Sequence, residues 1–450
     1  MVKIHYAKML YEDRSSDSYG SKENNQSATK KRFSSNRFLF FYILSIILEI
    51  SVFKYFYPRV SFFVGDSYCY VDEAIKNPAV SIYPIGYPNF LGLVNLISSS
   101  DTFLFIIQYL LLQLSLLCLL LTVKFFYTIN NRIAIIATVF LFINPIFLYL
   151  SNTVSSDNLF FSLSCLWMTS LLLIINGITY ERLLFHGIIL FILFTVRYNA
   201  IYYPLVSTII IVICKANYKQ KIIGILIYAI MIGSFVYFNM NKYYELCKIR
   251  QFSPFSGWQM VNNALYSYRK VPNNEYKKVP LKFYNLDRII RNYFNSSRNI
   301  HPNTDIGEFQ YMWDPYGPLW EYALISLNGE NQDVVYTWSK VSELYKEYGF
   351  WLMKNYPIEF SKYYLYPNVK KFWSPPTEFL SFYNSGLNDV PLYVQDWFKY
   401  RTPFISSKVN NTNIQLGIVK ANSIMSTLIN ILFYNNLPFI KKLKYRFKLS

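Results

Sequence analysis

Three charged residues of the chain lie beside long apolar stretches: the carboxylates Asp66 and Asp157 and the guanidinium Arg197. A carboxylate can take the proton of an attacking hydroxyl, which accelerates a transfer reaction about 10²–10⁴-fold. A guanidinium fork matches the oxygens of a departing phosphate. Aromatic rings suit sugar faces, and Tyr and Trp add polar partners. Together with an apolar groove for a lipid tail, these groups are what glycosyl transfer from a lipid phosphate requires.

Each of these residues also has a plainer interpretation. Asp66 could be a solvated loop residue or a helix cap, and residues 155–157 match an N-cap before an apolar helix. Arg197 could extend to a membrane interface from a helix end. Residues 83–88 could form only a turn followed by a proline-led helix start. The joint placement of these features on one face is the stronger indication.

Apolar stretches are the elements that must position these residues. The 450-residue chain is 53% hydrophobic and only 16% charged, below the ~25% charge of soluble domains. A helix that crosses a bilayer needs roughly 20 apolar residues. Seven stretches meet or approach this length: 39–57, 103–127, 133–150, 159–178, 183–196, 198–214 and 222–238. A weaker stretch at 416–433 predicts an eighth span, and 87–97 predicts a short membrane-surface or re-entrant element.

The distribution of charge predicts the orientation of these spans. Basic residues cluster in the tails and in alternate loops, as expected for cytoplasmic segments. This pattern places residues 1–38 inside as a disordered tail, and it places Asp66, Asp157 and Arg197 at the outer face. The net charge of +18 would indicate nucleic-acid binding in a soluble protein. Here the cytoplasmic flanks account for it, so nucleic acid is excluded as a partner.

Residues 240–412 follow the seventh predicted span and are expected outside. They are rich in Tyr, Trp, Asn and Pro and long enough for a mixed or mainly helical domain with its own core. Helices are predicted near 284–293 and 334–356, and ordered loops at 251–258 and 374–384. Residues 413–450 would form the last span and a basic cytoplasmic tail.

The cysteines and histidines show no metal-ligand spacing. The three histidines are scattered: His5, His186 and His301. We therefore expect no metal or cofactor, although Asp66 and Asp157 could share an ion. Of the five cysteines, only Cys69 and Cys247 could meet outside the membrane in a disulfide.

Several short motifs occur in a recognisable order. They are Asp66-x-x-x-Tyr70, Tyr83-Pro84-x-Gly86-Tyr87-Pro88, Asn144-Pro145, Ser156-Asp157-x-Leu159-Phe160 and Val196-Arg197-Tyr198-x-Ala200. In this order the chain resembles the membrane half of GT-C glycosyltransferases, closest to the protein mannosyltransferase and aminoarabinose transferase type. The resemblance covers about residues 39–240. It differs from many members in having Ser67 after Asp66, and in having fewer spans.

The resemblance implies a polyprenyl-phosphate-linked sugar donor and chemistry on the extracytoplasmic side. It implies that Asp66 is the base, with Asp157 and Arg197 near the donor phosphate or sugar. Three tyrosines in or beside the motifs are assigned to substrate binding: Tyr70, Tyr87 and Tyr198. No cofactor is implied.

The sequence thus predicts an α-helical polytopic membrane protein, GT-C-like, with seven or eight spans and an extracytoplasmic domain at 240–412. The predicted function of the 39–239 region is glycosyl transfer to a glycan, lipid or protein acceptor in a bilayer. The Lys-, Asn- and Tyr-rich composition favours a multi-pass protein of a bacterial inner (plasma) membrane. The alternatives are a polysaccharide polymerase or a lipid-glycan flippase, followed by a non-enzymatic scaffold.

Overall fold

The structure, a computed structural model, describes residues 23–129, 131–296, 310–329, 333–376, 380–409, 411 and 413–444, without the side chains of 23–39, 131, 133 and 435–444. The described chain is helical, with two isolated bridges, Ser61–Thr153 and Asp389–Phe404, and no strand. It divides into two units, residues 1–56 and 57–450.

Within its described residues, 23–56, the first unit contains one helix, α1 (Glu23–Phe56). Its helical backbone begins inside residues 1–38, where the sequence predicts disorder; residues 1–22 of that tail lie outside the described part. The Lys, Arg and Gln residues here are good helix formers. Farther along, Ser45 and Ser51 donate to the carbonyls of Tyr42 and Ile47, which satisfies both hydroxyls within an apolar helix.

The second unit contains eighteen helices within the described residues. In chain order they are α2 (Asp66–Lys76), α3 (Gly86–Ile97), α4 (Asp101–Phe126), α5 (Asn131–Phe142), α6 (Pro145–Ser151), α7 (Ser156–Ile175), α8 (Tyr180–Val196), α9 (Tyr202–Ile213), α10 (Tyr218–Cys247), α11 (Phe255–Tyr268), α12 (Tyr284–Asn295), α13 (Gln310–Trp313), α14 (Pro318–Leu327), α15 (Val334–Asn355), α16 (Pro357–Phe360), α17 (Tyr366–Trp373), α18 (Leu392–Trp397) and α19 (Asn413–Lys444). Short 3₁₀ turns, including Tyr198–Ile201, and one π-turn, Ser361–Leu365, join some of them.

Five helices within the described residues are long and apolar enough to cross a membrane. They are α4, the pair α5–α6 over Ala134–Ser151, α7, α10 and the Asn413–Tyr434 part of α19. The pair is broken at Pro145, which lacks an N–H, and Asn144 caps the second half by accepting from the Ile146 amide at 3.1 Å. These helices support a helical membrane protein, and the weak eighth stretch is confirmed as a long apolar helix.

The predicted count of seven or eight spans stays a prediction. Helix α8 has 17 residues and therefore measures about 25 Å, less than the ~30 Å hydrocarbon core. The stretch Tyr198–Ile213 is a shorter apolar helix. The stretch predicted at 39–57 lies in α1, whose side chains are described only from Phe40 onward.

Close helix packing in the apolar region depends on small residues. A Cβ at Gly224 would lie 2.7 Å from Leu183 Cδ2, and a Cβ at Gly187 would overlap Ile227. Helices α8 and α10 therefore cross where glycine lets them approach, as is common between membrane helices.

The segment after α10 is built around helices α11 and α15. A Cβ at Gly349 would lie 2.8 Å from the Met260 carbonyl carbon, so the two backbones nearly touch. Trp258 and Trp338 stack beside this crossing, with ring centroids 4.4 Å apart. The helices predicted at 284–293 and 334–356 are confirmed as α12 and α15. The loop predicted at 251–258 is wrong in its second half, because a helix begins at Phe255 directly after Pro254.

A late part of the chain fastens the loop that precedes α2. Asn384 accepts from the Phe62 amide at 3.2 Å, and its own amide donates to Ser61 Oγ at 2.9 Å. Tyr400 donates to Asp101 Oδ2 at 2.9 Å, and the same carboxylate accepts from the Val60 amide. These bonds hold the loop ahead of Asp66 in place.

The disulfide predicted as possible between Cys69 and Cys247 is not formed, since both cysteines are free.

Candidate functional site

Asp66 is the first residue of α2. The preceding Gly65 has φ of 95°, a conformation that glycine adopts without strain, and it turns the chain into the helix. Ser67 fixes this turn, because its hydroxyl donates to the Val154 carbonyl at 2.5 Å and accepts from the Phe63 amide at 2.8 Å. The carboxylate thus sits in the first turn, where the helix dipole favours negative charge.

The Asp66 carboxyl is largely enclosed by its neighbours. The Tyr83 hydroxyl donates to Asp66 Oδ1 at 2.9 Å. Burial raises the pKa of Asp66, and the charge of Asp157 raises it further, whereas the Tyr83 hydrogen bond and the Arg197 charge lower it. A carboxylate with a raised pKa is a better proton acceptor near neutral pH.

Asp157 and Arg197 form an ion pair between Asp157 Oδ1 and Arg197 Nη1. Ser155 caps α7 by accepting from the Asp157 amide at 3.2 Å, and its hydroxyl donates to Asp157 Oδ2 at 2.5 Å. The predicted N-cap is therefore confirmed. Arg197 ends α8 and extends its guanidinium 5.8 Å from the Phe160 ring centroid. About a third of each charged side chain stays exposed, 33% for Arg197 and 37% for Asp157.

The structure brings the three predicted charged residues together. Asp157 and Arg197 are bonded directly, and both charges act on the Asp66 carboxyl. Asp66 itself bonds to Tyr83 rather than to the guanidinium. Asp66 is thus hydrogen-bonded to a neutral hydroxyl, whereas the charge of Asp157 is neutralised by Arg197.

Two of the predicted substrate-binding tyrosines pack against each other, and Tyr70 also packs against Tyr83, the partner of Asp66. The Tyr70 hydroxyl bonds to Ser156 Oγ at 3.1 Å, and its ring centroid lies 5.0 Å from that of Tyr87. Tyr87 is fully buried and donates to Gln108 Oε1 at 2.9 Å. Their contacts are with the protein, and a direct contact with substrate stays a prediction.

Tyr198, the third predicted substrate-binding tyrosine, lies in different surroundings from Tyr70 and Tyr87. Its ring centroid lies 4.5 Å from that of Phe252, and its hydroxyl lies close to Asn239 of α10. The charge of Glu73, rather than that of Arg197, acts on it. Tyr198 therefore flanks the site from the side of Glu73, although it is adjacent to Arg197 in sequence.

Two further aromatic residues, Tyr83 and Trp313, belong to the site, and neither of them was assigned a role in it from the sequence. Tyr83 bonds Asp66, and its ring stacks on Trp313 with 5.8 Å between centroids and 10° between planes. Trp313 ends α13 and is itself 5.1 Å from Trp338. The Tyr83-Pro84 motif signalled the tyrosine, whereas Trp313 carries no local signal because its contact is far away in sequence.

A second acid on α2 also escaped the sequence analysis. Glu73 lies two helical turns beyond Asp66 and is 9% exposed. Its Oε1 accepts from the Ser81 hydroxyl, and its Oε2 has no hydrogen-bond partner among the described residues. Burial raises the pKa of Glu73 to about 7, although the Ser81 hydrogen bond acts in the opposite direction.

Within the described ranges, no three His, Cys, Asp or Glu side chains come together in a metal-binding group.

No protein-family model, no curated protein and no solved structure matches this chain.

Proposed function

We propose that the protein is an integral membrane glycosyltransferase of the GT-C type. It moves a sugar from a polyprenyl phosphate to a glycan, lipid or protein acceptor on the extracytoplasmic side of a bacterial inner (plasma) membrane. The observation that carries the proposal is the enclosed Asp66 carboxyl, bonded to Tyr83 and lying in the field of the Asp157–Arg197 pair.

Asp66 acts as the general base in this scheme. Tyr83 holds Oδ1, and Oδ2 accepts the proton of the acceptor hydroxyl. The acceptor oxygen then bonds to the anomeric carbon of the donor sugar, and the bond from that carbon to the phosphate oxygen breaks. The electron pair leaves with the polyprenyl phosphate. The raised pKa of Asp66 suits this role, because a stronger base takes the proton more readily.

Arg197 stabilises the phosphate that departs. A guanidinium has five N–H donors, and Asp157 engages one end of it. The remaining donors and the exposed third of the side chain are free to meet phosphate oxygens in a bidentate contact. Asp157 thus orients the fork, and the apolar helices around the site offer surface to the polyprenyl chain.

The test is transfer of labelled sugar from polyprenyl phosphates in membranes that contain the protein. Asp66→Asn keeps the shape and removes the base, so transfer should fall at least ~100-fold. Asp72→Asn is the matched control, because Asp72 lies on the same helix and forms an exposed ion pair with Lys76. It should leave transfer unchanged.

A lipid-glycan flippase or a scaffold would tolerate Asp66→Asn. Unchanged transport or assembly in that variant, at equal protein level, would contradict the proposal.

A further inference from the structure

One segment of the predicted outer domain leaves an apolar stripe uncovered. Helix α16, the π-turn Ser361–Leu365 and α17 form a continuous run from Pro357 to Trp373. Along it, Ile358, Leu365, Val369 and Phe372 recur at helical spacing and share a face. Their exposed fractions are 74%, 45%, 52% and 82%. Lys362 also lies on this face, between Ile358 and Leu365, with its ammonium 5.0 Å from the Tyr363 ring centroid. A row of exposed apolar side chains of this kind marks a surface that another protein or a membrane covers.

The chain that follows this run lies against α19. Asn430 Nδ2 donates to the carbonyls of Phe372 and Trp373 at 3.2 and 3.1 Å. Ser423 donates to the Pro375 carbonyl, and the Trp373 ring meets that of Tyr434 at 5.6 Å. As the segment advances from Phe372 to Pro375, its partners move back from 430 to 423, so it runs antiparallel to α19.

These contacts lie within the apolar part of α19. Asn413–Tyr434 has 22 residues and spans about 33 Å, the thickness of a hydrocarbon core. Two of the three residues that weaken α19 as a span, Asn422 and Asn430, are thus partners: Asn430 bonds the neighbouring segment, as Ser423 does, and Asn422 accepts from Asn144 at 2.9 Å. The third, Lys420, is exposed.

The segment also meets the backbone requirement for a place in lipid. Non-helical backbone at membrane depth must have its polar groups paired within the protein. The carbonyls of Phe372, Trp373 and Pro375 receive donors from α19. Pro375 and Pro376 carry no N–H that would need a partner.

We infer that residues 357–376 lie in the bilayer beside α19, with the stripe of Ile358, Leu365, Val369 and Phe372 against lipid acyl chains. Lys370 stacks on Tyr366 at 4.5 Å near the Tyr434 end of α19. Basic and aromatic residues are typical of that level, where they reach the interface. The inference rests on α19 crossing a bilayer and is independent of sugar transfer. It changes the predicted location of this part of residues 240–412 from aqueous to membrane-embedded.

The test is a nitroxide label at single positions of the full chain, reconstituted in vesicles of phosphatidylethanolamine and phosphatidylglycerol. Collisions with oxygen, which concentrates in lipid, are compared with collisions with a water-soluble nickel chelate. Val369→Cys is the test position. Leu428→Cys, 55% exposed on α19, reports whether that helix is in lipid, and Leu281→Cys, 92% exposed, is the aqueous control. The unsubstituted chain gives the background from the five native cysteines.

We expect Val369→Cys to match Leu428→Cys, with several-fold more oxygen collisions and several-fold fewer chelate collisions than Leu281→Cys. Chelate access at Val369 equal to that at Leu281 would overturn the inference. Low access to both reagents would also overturn it, since it would mean that protein rather than lipid covers the stripe. If Leu428→Cys itself behaved as aqueous, the membrane assignment of α19 would be wrong, and the inference with it. Phe372→Cys repeats the measurement should Val369→Cys fail to fold.

Discussion

The Arg197 guanidinium is oriented by one carboxylate and influences another. Asp157 bonds it directly, and the Asp66 carboxyl lies within its field. An ammonium in its place would keep the charge but lose the planar fork.

Arg197→Lys should therefore lower transfer by about 10- to 100-fold, the equivalent of one charge-assisted hydrogen bond. The measurement is the rate of sugar transfer in membranes at equal protein level. Arg182→Lys is the control, because Arg182 lies at the other end of α8 and bonds the carbonyls of Leu173 and Gly177. Equal rates for Arg197→Lys and the unsubstituted protein would argue against a bidentate phosphate contact.

Glu73 makes stability depend on pH. Burial raises its pKa from 4.5 to about 7 in the folded chain. Between these values the folded protein holds a proton that the unfolded chain has lost, so this contribution to stability is complete below pH 4.5 and disappears as the pH rises through 7.

Glu73→Gln should remove this dependence, which amounts to about 3 kcal/mol at most. Thermal unfolding of the purified protein at pH 5 and pH 8 measures it. The unsubstituted protein should lose stability between the two values, and the variant should lose less. Asp72→Asn, one residue away and partly exposed, should keep most of the dependence, because burial is the largest cause of the raised pKa of Glu73 and the Asp72 charge adds a smaller part.

At the scale of helices, the site depends on the contact between the start of α3 and the end of α8. A Cβ at Gly86 would lie 2.6 Å from the Thr195 carbonyl, with Val196 as the next neighbour. Arg197 follows immediately. The position of the guanidinium is thus set by how closely α3 approaches.

Gly86→Ala should push the two helices apart and cost about 1–3 kcal/mol, typical of overpacking. Transfer should fall as Arg197 moves. Gly92→Ala is the control on the same helix, since a Cβ there meets nothing within 4 Å; it should be neutral or stabilise by about 0.5–1 kcal/mol. Unfolding temperatures and transfer rates of both variants check this, and equal behaviour would contradict the tight contact.

Local sequence signals predicted helices and their caps. Contacts between residues that are far apart in the sequence could not be predicted from these signals. The cap at Ser155 and helix α15 could be predicted, because capping residues and helical periodicity act within a few positions. The charges on Asp66, Asp157 and Arg197 could be grouped through the predicted orientation of the spans. The start of α11 was missed because Pro254 was taken as part of a loop. The pairing of Asn422 with Asn144 depends on tertiary packing that no local pattern records.

At the scale of the whole molecule, an aromatic residue of the predicted outer domain packs on the tyrosine that bonds Asp66, the proposed base. Trp313 lies on Tyr83, and Tyr83 bonds Asp66. Through this contact the domain supports the hydrogen bond from Tyr83, which lowers the pKa of Asp66.

Trp313→Ala should loosen Tyr83 and let the pKa of Asp66 rise. Because the base must be deprotonated, the acidic limb of the pH–rate profile should move to higher pH. Tyr83→Phe, which removes the hydroxyl, should shift the limb in the same direction. Trp313→Phe keeps a ring and should restore most of the profile. A fall in rate with an unmoved limb would assign Trp313 a purely structural role.

The loop before Asp66 bonds to Asn384 directly, and it is linked to Tyr400 through the Asp101 carboxylate, which accepts from both Tyr400 and Val60. These bonds have a consequence for biogenesis. During synthesis, the loop emerges from the ribosome and reaches the membrane long before residues 384 and 400 have been made. Until those residues are made, the nascent chain can hold this loop only through earlier parts of the chain, such as the bond from Ser67 to the Val154 carbonyl. In the proposed scheme, a chain truncated before residue 384 should retain Asp66, Asp157 and Arg197 and yet transfer sugar more slowly, because the loop ahead of Asp66 has lost part of its support.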